Sequence, residues 1–232
     1  MRIEILFPEF CNLFGDMYNM RYLKMCVPEA EFIETALDEV PAFVNEDINL
    51  IYLGPMTEKT QEKVIKRLMP YKERIEELIE KNVFFLFTGN AVEVLGKYIE
   101  NEDGSKIEGV GIFDVYAKRN MMHRHNSYLV GMYGNIEIVG FKSQFTMMYG
   151  DNSSSYFLQV EKGIGINEES KLEGIKKNNF IGTYLLGPIL IENPLFTEKV
   201  LQAIGAKTDI ALKEDMLPAY EARLNELKKL RK

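Results

Sequence analysis

Cysteine, histidine and tryptophan are scarce in this 232-residue chain: it has two cysteines, two histidines and no tryptophan. Cys11 and Cys26 supply neither a disulfide framework nor a thiolate cluster, so free thiols in a reducing compartment and no metal are expected. No segment reaches the roughly 18 apolar residues of a membrane span. Met1 to Phe7 reads as a strand and not as a signal peptide, which makes a cytoplasmic location the expectation. A basic excess is also missing. The net charge is -7, and neutralising phosphates takes a concentrated basic face, so a nucleic-acid partner is not expected. The basic end, Leu227 to Lys232, reads first as a helix C-terminus whose cations complement the dipole, with partner binding as the other reading. What remains is a balance of 46% hydrophobic and 27% charged residues, enough to bury a full core, and residues 1–232 are read as one domain.

The first half alternates strand and helix: strands near 2–7 and 31–35, a helix over 16–26, strands over 49–53 and 83–87, and helices over 57–81 and 91–100. That order predicts an α/β fold with a mainly parallel sheet and right-handed crossovers. On the long helix, Val64, Ile65, Leu68, Ile75, Leu78 and Ile79 form a core stripe opposite Glu77, Glu80 and Lys81. From Lys106 to Tyr184 short strands and turns predict an antiparallel portion that contributes to a mixed sheet. The segment Met147 to Tyr156, rich in small polar residues, reads equally as a lid or a surface loop. Helices follow from about Leu195 and from Glu214 onward. Their apolar residues Leu217, Tyr220 and Leu224 are assigned to packing on the chain's own sheet in preference to a second protein.

The most telling stretch is Phe87-Thr-Gly-Asn-Ala-Val-Glu-Val-Leu-Gly96, preceded by the apolar run Asn82 to Phe87. A buried parallel strand followed by Thr88, Gly89 and Asn90 and then by helical spacing describes a sharp strand-to-helix turn. Such turns expose a nucleophile at the carboxyl end of a sheet, beside backbone N–H groups that hold an oxyanion. Here the apex is glycine.

This segment resembles the elbow of class I (triad) glutamine amidotransferases, commonly Gly-Ile-Cys-Gly-Gly-Tyr-Gln-Leu-Leu-Gly or Gly-Ile-Cys-Asn-Gly-Phe-Gln-Ile-Leu-Gly. Anchored on Leu95-Gly96, the family cysteine falls on Gly89. Gly182-Thr-Tyr-Leu-Leu-Gly-Pro-Ile-Leu190 resembles the block Gly-Thr-Tyr-Leu-His-Gly-Pro-Leu-Leu, and the histidine position is Leu186. Asn12-Leu-Phe-Gly-Asp16 with Asn19, Ile107 to Asp114 and Ile138 to Phe141 narrow the likeness to the GatD-like, CobB/CobQ-type group. The resemblance implies a flavodoxin-like amidotransferase fold over nearly the whole chain, with no cofactor. It further implies a Mur-ligase-like (MurT-type) partner.

The resemblance also implies a relic pocket at Gly54, Pro55, Asn90, Glu93, Arg124 and Gln144. Gly54-Pro55-Met56 replaces a Gly-Gly-Gly-Ser-type oxyanion loop, and proline has no N–H to donate. Lys142 to Met147 replaces a Glu-Asn-His-Gly-Gly-Arg wall, and Glu93 stands at a family glutamine. Arg124, or equally His123, falls where the family binds glutamine.

Two readings follow. One is a catalytically degenerate, noncatalytic partner or scaffold subunit of an amidating enzyme, or a binder of a glutamine-like small molecule. The other is an active glutaminase supplying ammonia for a cell-wall precursor or a cobyrinate-like acid, with Cys11 as a remote candidate nucleophile. A weaker third gives Glu93 the role of base for another substrate, against the plainer view of a solvated or helix N-terminal carboxylate. His123 and His125, at i and i+2, read as one side of an exposed strand edge.

Overall fold

The computed structural model describes residues 1–230. The first half runs β1 Arg2–Leu6, α1 Tyr18–Cys26, β2 Glu31–Thr35, β3 Leu50–Leu53, α2 Glu58–Leu68, α3 Lys72–Glu80 and β4 Phe84–Thr88. It continues with β5 Tyr98–Glu100, β6 Lys106–Glu108, β7 Tyr116–Arg119, β8 His125–Tyr133, β9 Ile136–Gln144 and β10 Thr146–Tyr149. Then come β11 Leu158–Lys162, β12 Leu172–Glu173, β13 Ile175–Lys177, β14 Phe180–Thr183, α4 Ile189–Glu192, α5 Pro194–Ala203 and α6 Lys213–Lys229.

The main sheet has six strands in the order β13-β14-β4-β3-β1-β2, all parallel except for the β13–β14 pair. Its central strands are apolar on both faces because both faces are covered. Ile51, Leu53, Phe85 and Phe87 pack with Val64, Ile65 and Leu68 of α2 and with Ile75 and Ile79 of α3. The alternate residues Leu50, Tyr52, Phe84 and Leu86 meet Met20 and Leu23 of α1 and Phe196 and Val200 of α5. Phe180 of β14 anchors the first layer through ring contacts to Phe85, Phe87 and Phe113 at centroid separations of 5.9, 5.5 and 4.7 Å.

The second half forms two further four-stranded sheets, β10-β7-β5-β6 and β12-β11-β8-β9. Their pairings are antiparallel apart from β5 with β7. The expected antiparallel portion is therefore present, built mainly as separate sheets.

Several local expectations need correcting. The helix over 57–81 is two helices separated by a 3-10 turn at Met69–Tyr71, since Pro70 lacks an N–H and restricts the residue before it. The helix over 91–100 is a 3-10 segment, Gly89–Leu95, followed by strand β5. There Lys97 N–H pairs with the Val115 carbonyl and draws the chain into a sheet. Met147 to Tyr149 belong to β10, and buried Asn152 in the following loop donates to the carbonyls of Leu172 and Gly174, so this segment is tied down. Tyr220 and Leu224 of α6 cluster with Val130 and Val139, and Leu217 is partly buried, in keeping with packing on the chain's own sheet. At the basic end, Arg231 and Lys232 lie outside the described residues. Among the described residues, no helix is long and apolar enough to cross a membrane.

Candidate functional site

Three adjacent parallel strands deliver three loops to one point. In the order β14-β4-β3, the chain leaves each strand at its carboxyl end through Leu186, Gly89 and Pro55 respectively. Ligands of open α/β sheets bind outside such strand ends. Gly89 has φ +59, the left-handed conformation that an L side chain adopts only with strain, and this is the bend a strand-turn elbow needs. A Cβ added there would meet the Cβ of Pro55 at 2.7 Å and the Cδ2 of Leu186 at 2.9 Å. The side chains around the apex are thus carbon, and they occupy the space into which an elbow side chain would project. Gly54 is fixed by another close approach, since a Cβ on it would sit 2.3 Å from the Cys11 carbonyl oxygen.

Asn90 locks this arrangement. Its Oδ1 accepts from Met56 N–H at 3.0 Å and its Nδ2 donates to the Met56 carbonyl at 2.8 Å, pinning the Pro55 loop to the elbow. On the other side Leu186 N–H donates to the Phe141 carbonyl at 2.8 Å, tying β9 to the end of β14. Asp16, fully buried, accepts from Tyr52 Oη at 2.8 Å, from Thr88 Oγ1 and from Gly187 N–H at 3.3 Å. One carboxyl thereby joins the ends of β3, β4 and β14. Burial raises its pKa and the hydrogen bonds from Thr88 and Tyr52 oppose the rise.

Beneath the apex lies a second polar cluster that the sequence alone does not reveal. Glu93 is buried and not solvated, against the plainer view of it as an exposed carboxylate. It accepts from Thr146 Oγ1, from Tyr184 Oη at 2.8 Å and from Gln61 Nε2 at 2.8 Å. Gln61 Oε1 in turn accepts from Arg119 Nη2 at 2.8 Å. Burial pushes the Glu93 pKa up, and its three hydrogen-bond partners and Arg119 pull against that. Both carboxylate oxygens are engaged, and Glu93 does not line the elbow cavity. A third group, the Lys142–Glu173 ion pair, is wholly buried, with Lys142 also donating to the carbonyl of Gly165 at 2.7 Å and Glu173 accepting from Thr183 Oγ1 at 2.8 Å. The signal for both clusters is faint in sequence: single polar residues, far apart along the chain, within apolar surroundings.

A cavity of about 140 Å³ opens at the elbow. Pro55, Gly89, Asn90, Arg124, Gln144 and Leu186 line it, so six of the eight sequence-nominated positions share one site. Gly54 and Glu93 lie behind it. Arg124 stacks its guanidinium over Phe145 at 4.4 Å, whereas His123 and His125 line a neighbouring cavity with Gln144. His123 falls in the turn before β8, so the two histidines do not form one strand edge. Cys11 is buried with its Sγ 3.8 Å from Met56 Sδ, and burial drives its thiol pKa upward, the opposite of what a nucleophilic thiolate needs. Among the described residues no cluster of His, Cys, Asp and Glu could hold a metal ion.

Comparison with known proteins agrees with this architecture. The chain is 28% identical over 193 residues to the lipid II isoglutaminyl synthase (glutamine-hydrolyzing) subunit GatD of Staphylococcus aureus, covering 82% of this chain and 79% of that protein. It is 27% identical over 237 residues to the subunit of the same name from Streptococcus pneumoniae, covering 97% and 88%. Among solved structures, PurLQS from Thermotoga maritima superimposes with a TM-score of 0.56 at 13% identity over 96% of this chain and 98% of that one. A glutamine amidotransferase from Thermotoga maritima does so with 0.52 at 14% identity, over 98% and 92%. These structures share the fold. The family model for the CobB/CobQ-like glutamine amidotransferase domain matches residues 2–194, and the chain belongs to that family.

Proposed function

We propose that this chain is a glutamine amidotransferase-like subunit that does not hydrolyse glutamine and that serves as a noncatalytic partner of a Mur-ligase-like amidating enzyme. The observation that carries this reading is the apex itself. Gly89 has no side chain, and Pro55 and Leu186 stand 2.7 and 2.9 Å from where its Cβ would lie. Glycine supplies no nucleophile and leucine neither accepts nor donates a proton. The loop that would place an oxyanion donor, Gly54-Pro55-Met56, carries Pro55, which has no N–H. The substitutions interlock, so reversing any one of them meets the others.

The partner reading is supported by the resemblance to the GatD-like group and by the relatives, which are named as subunits of lipid II isoglutaminyl synthase. The elbow cavity, with Arg124 at its wall, supports a secondary role in holding a small glutamine-like molecule. Affinity purification of the tagged chain from its native lysate, with mass spectrometry, tests the assignment. Stoichiometric recovery of a Mur-ligase-like protein is expected. Recovery of the chain alone would refute the subunit role and leave a free-standing binder.

A further inference from the structure

Helix α6 lies beyond residues 2–194, which the family model matches, and its far end carries the basic run Leu227-Lys-Lys-Leu-Arg-Lys232 in a chain of net charge -7. The ordinary work of cations at a helix C-terminus is to meet the unpaired carbonyls and the negative end of the dipole. Here the sheet supplies that cation. Lys162 of β11 donates from Nζ to the carbonyls of Leu227 at 3.2 Å, of Lys228 and of Leu230 at 2.8 Å. The carbonyls therefore do not account for the helix's own cations. Lys228 is taken by Glu137, but Lys229 stays exposed, and Arg231 and Lys232 follow it in the sequence.

The same end of the molecule carries an apolar groove. α6 is seated through its middle, where Tyr220 and Leu224 pack on Val130 and Val139 and Tyr220 Oη donates to the Glu137 carbonyl at 2.7 Å. Past Leu224 the contact opens. Two cavities, of about 350 and 200 Å³, share Tyr128, Leu227 and Leu230 and form one groove between the last turns of α6 and the β8–β9 pair. Tyr128, its ring 5.5 Å from that of Phe141, is 59% exposed there, and Leu230 is 50% exposed. Cations rim the groove: Lys162 lines it, and Lys171 donates to the carbonyl of Gly163, another lining residue, at 2.7 Å. Arg223 lines it too, paired with Glu192, and Glu226 is the carboxylate at its wall.

We propose that this end of the molecule docks on the surface of an anionic phospholipid bilayer, with Tyr128 and Leu230 entering the interface and Lys171, Lys229 and the C-terminal cations meeting lipid phosphates. Peripheral membrane binding adds the burial of apolar side chains to the attraction of lysine and arginine for anionic headgroups, and a phenol ring suits the boundary between the two. The groove and its rim supply both parts within one surface. A second copy of the chain fits less well, since a two-fold contact sets the same cations against themselves. None of the residues that line the groove lines the elbow cavity, so docking stands whether or not the noncatalytic-subunit reading does.

Sedimentation of the whole protein with extruded vesicles tests this directly. Vesicles of phosphatidylglycerol with phosphatidylcholine should carry the protein down at low salt and less of it at high salt, and vesicles of phosphatidylcholine alone should not. Lys171→Gln with Lys229→Gln should weaken partition onto the anionic vesicles about tenfold or more. Tyr128→Ser with Leu230→Ser should weaken it at both salt concentrations, and circular dichroism melting checks that each variant folds. No sedimentation with anionic vesicles, equal sedimentation with neutral ones, or partition unchanged in both variants would overturn the proposal. Self-association that Tyr128→Ser with Leu230→Ser abolishes, in place of vesicle binding, would overturn it too and assign the groove to a second copy.

Discussion

The apex of the elbow and the layer directly beneath it follow opposite chemistry. At the apex, Gly89, Pro55 and Leu186 meet carbon against carbon. Beneath it, Asp16, Glu93 and the Lys142–Glu173 pair are buried and hydrogen-bonded on several sides. The polar layer sets the positions of the strand ends: Asp16 joins β3, β4 and β14, and Glu173 bonds to Thr183 and to Tyr184 N–H just after β14. The lesson is that holding an elbow in shape and doing chemistry on it are separable tasks. The first needs paired buried groups and a left-handed residue at the bend. The second needs a nucleophile and a base, and neither projects into the cavity from Gly89 or Leu186.

The largest expected effect comes from breaking the lower layer. Glu173→Ala leaves Lys142 charged and unpaired in a dry site and should cost about 3 to 5 kcal/mol in urea unfolding. Replacing both partners, Lys142→Met with Glu173→Leu, should recover much of that loss. A single-substitution cost near zero would mean that this layer does not set the strand ends.

At the apex, Gly89→Ala forces an L residue to φ +59 and a Cβ into Pro55 and Leu186, so a loss of about 2 to 4 kcal/mol is expected. Combining it with Leu186→Ala should cost about 1 kcal/mol less than the sum of the two single changes, because the second clears space for the first. Strict additivity in that cycle would show that the two positions do not crowd each other. For the same reason Gly89→Cys with Leu186→His should release no ammonia from glutamine while Pro55 remains. Substantial turnover by that protein would show a more open pocket than the contacts describe.

The smallest effect concerns pH. Burial raises the Glu93 pKa from 4.5, so the folded state keeps a proton that the unfolded chain releases. That contribution to stability is complete below about 4.5 and is lost as pH rises through the folded value. Glu93→Gln should therefore flatten the dependence of the urea midpoint on pH above about 4.5, with Asp16 leaving a residual slope of the same sign. An unchanged slope would remove Glu93 from the titrating groups of the lower layer.

Much of this was legible in the sequence because it was local. The run Asn82 to Phe87 is apolar on alternate residues that face α2 and α3 on one side and α1 and α5 on the other, and nothing but a central strand buries both. The turn at Thr88-Gly89-Asn90 and the matching block at Leu186 placed two positions that the fold brings into contact. Other features depend on distant partners. Glu93 draws on Gln61 of α2, Thr146 of β10 and Tyr184 just after β14, and Lys142 on Glu173, 31 residues away. No periodicity encodes such pairings. The helix after the elbow misled because Ala91, Val92, Val94 and Leu95 are apolar at helical spacing, whereas Gly96 is extended and Lys97 is captured by Val115.

Ammonia release from glutamine, measured on the protein purified natively together with any partner it retains, tests the central claim most directly. The expected result is release at the rate of buffer alone, for the wild-type chain and for Cys11→Ala alike. Glutamine turnover that the wild type sustains and Cys11→Ala abolishes would contradict it, since a buried thiol would then supply the nucleophile that Gly89 lacks.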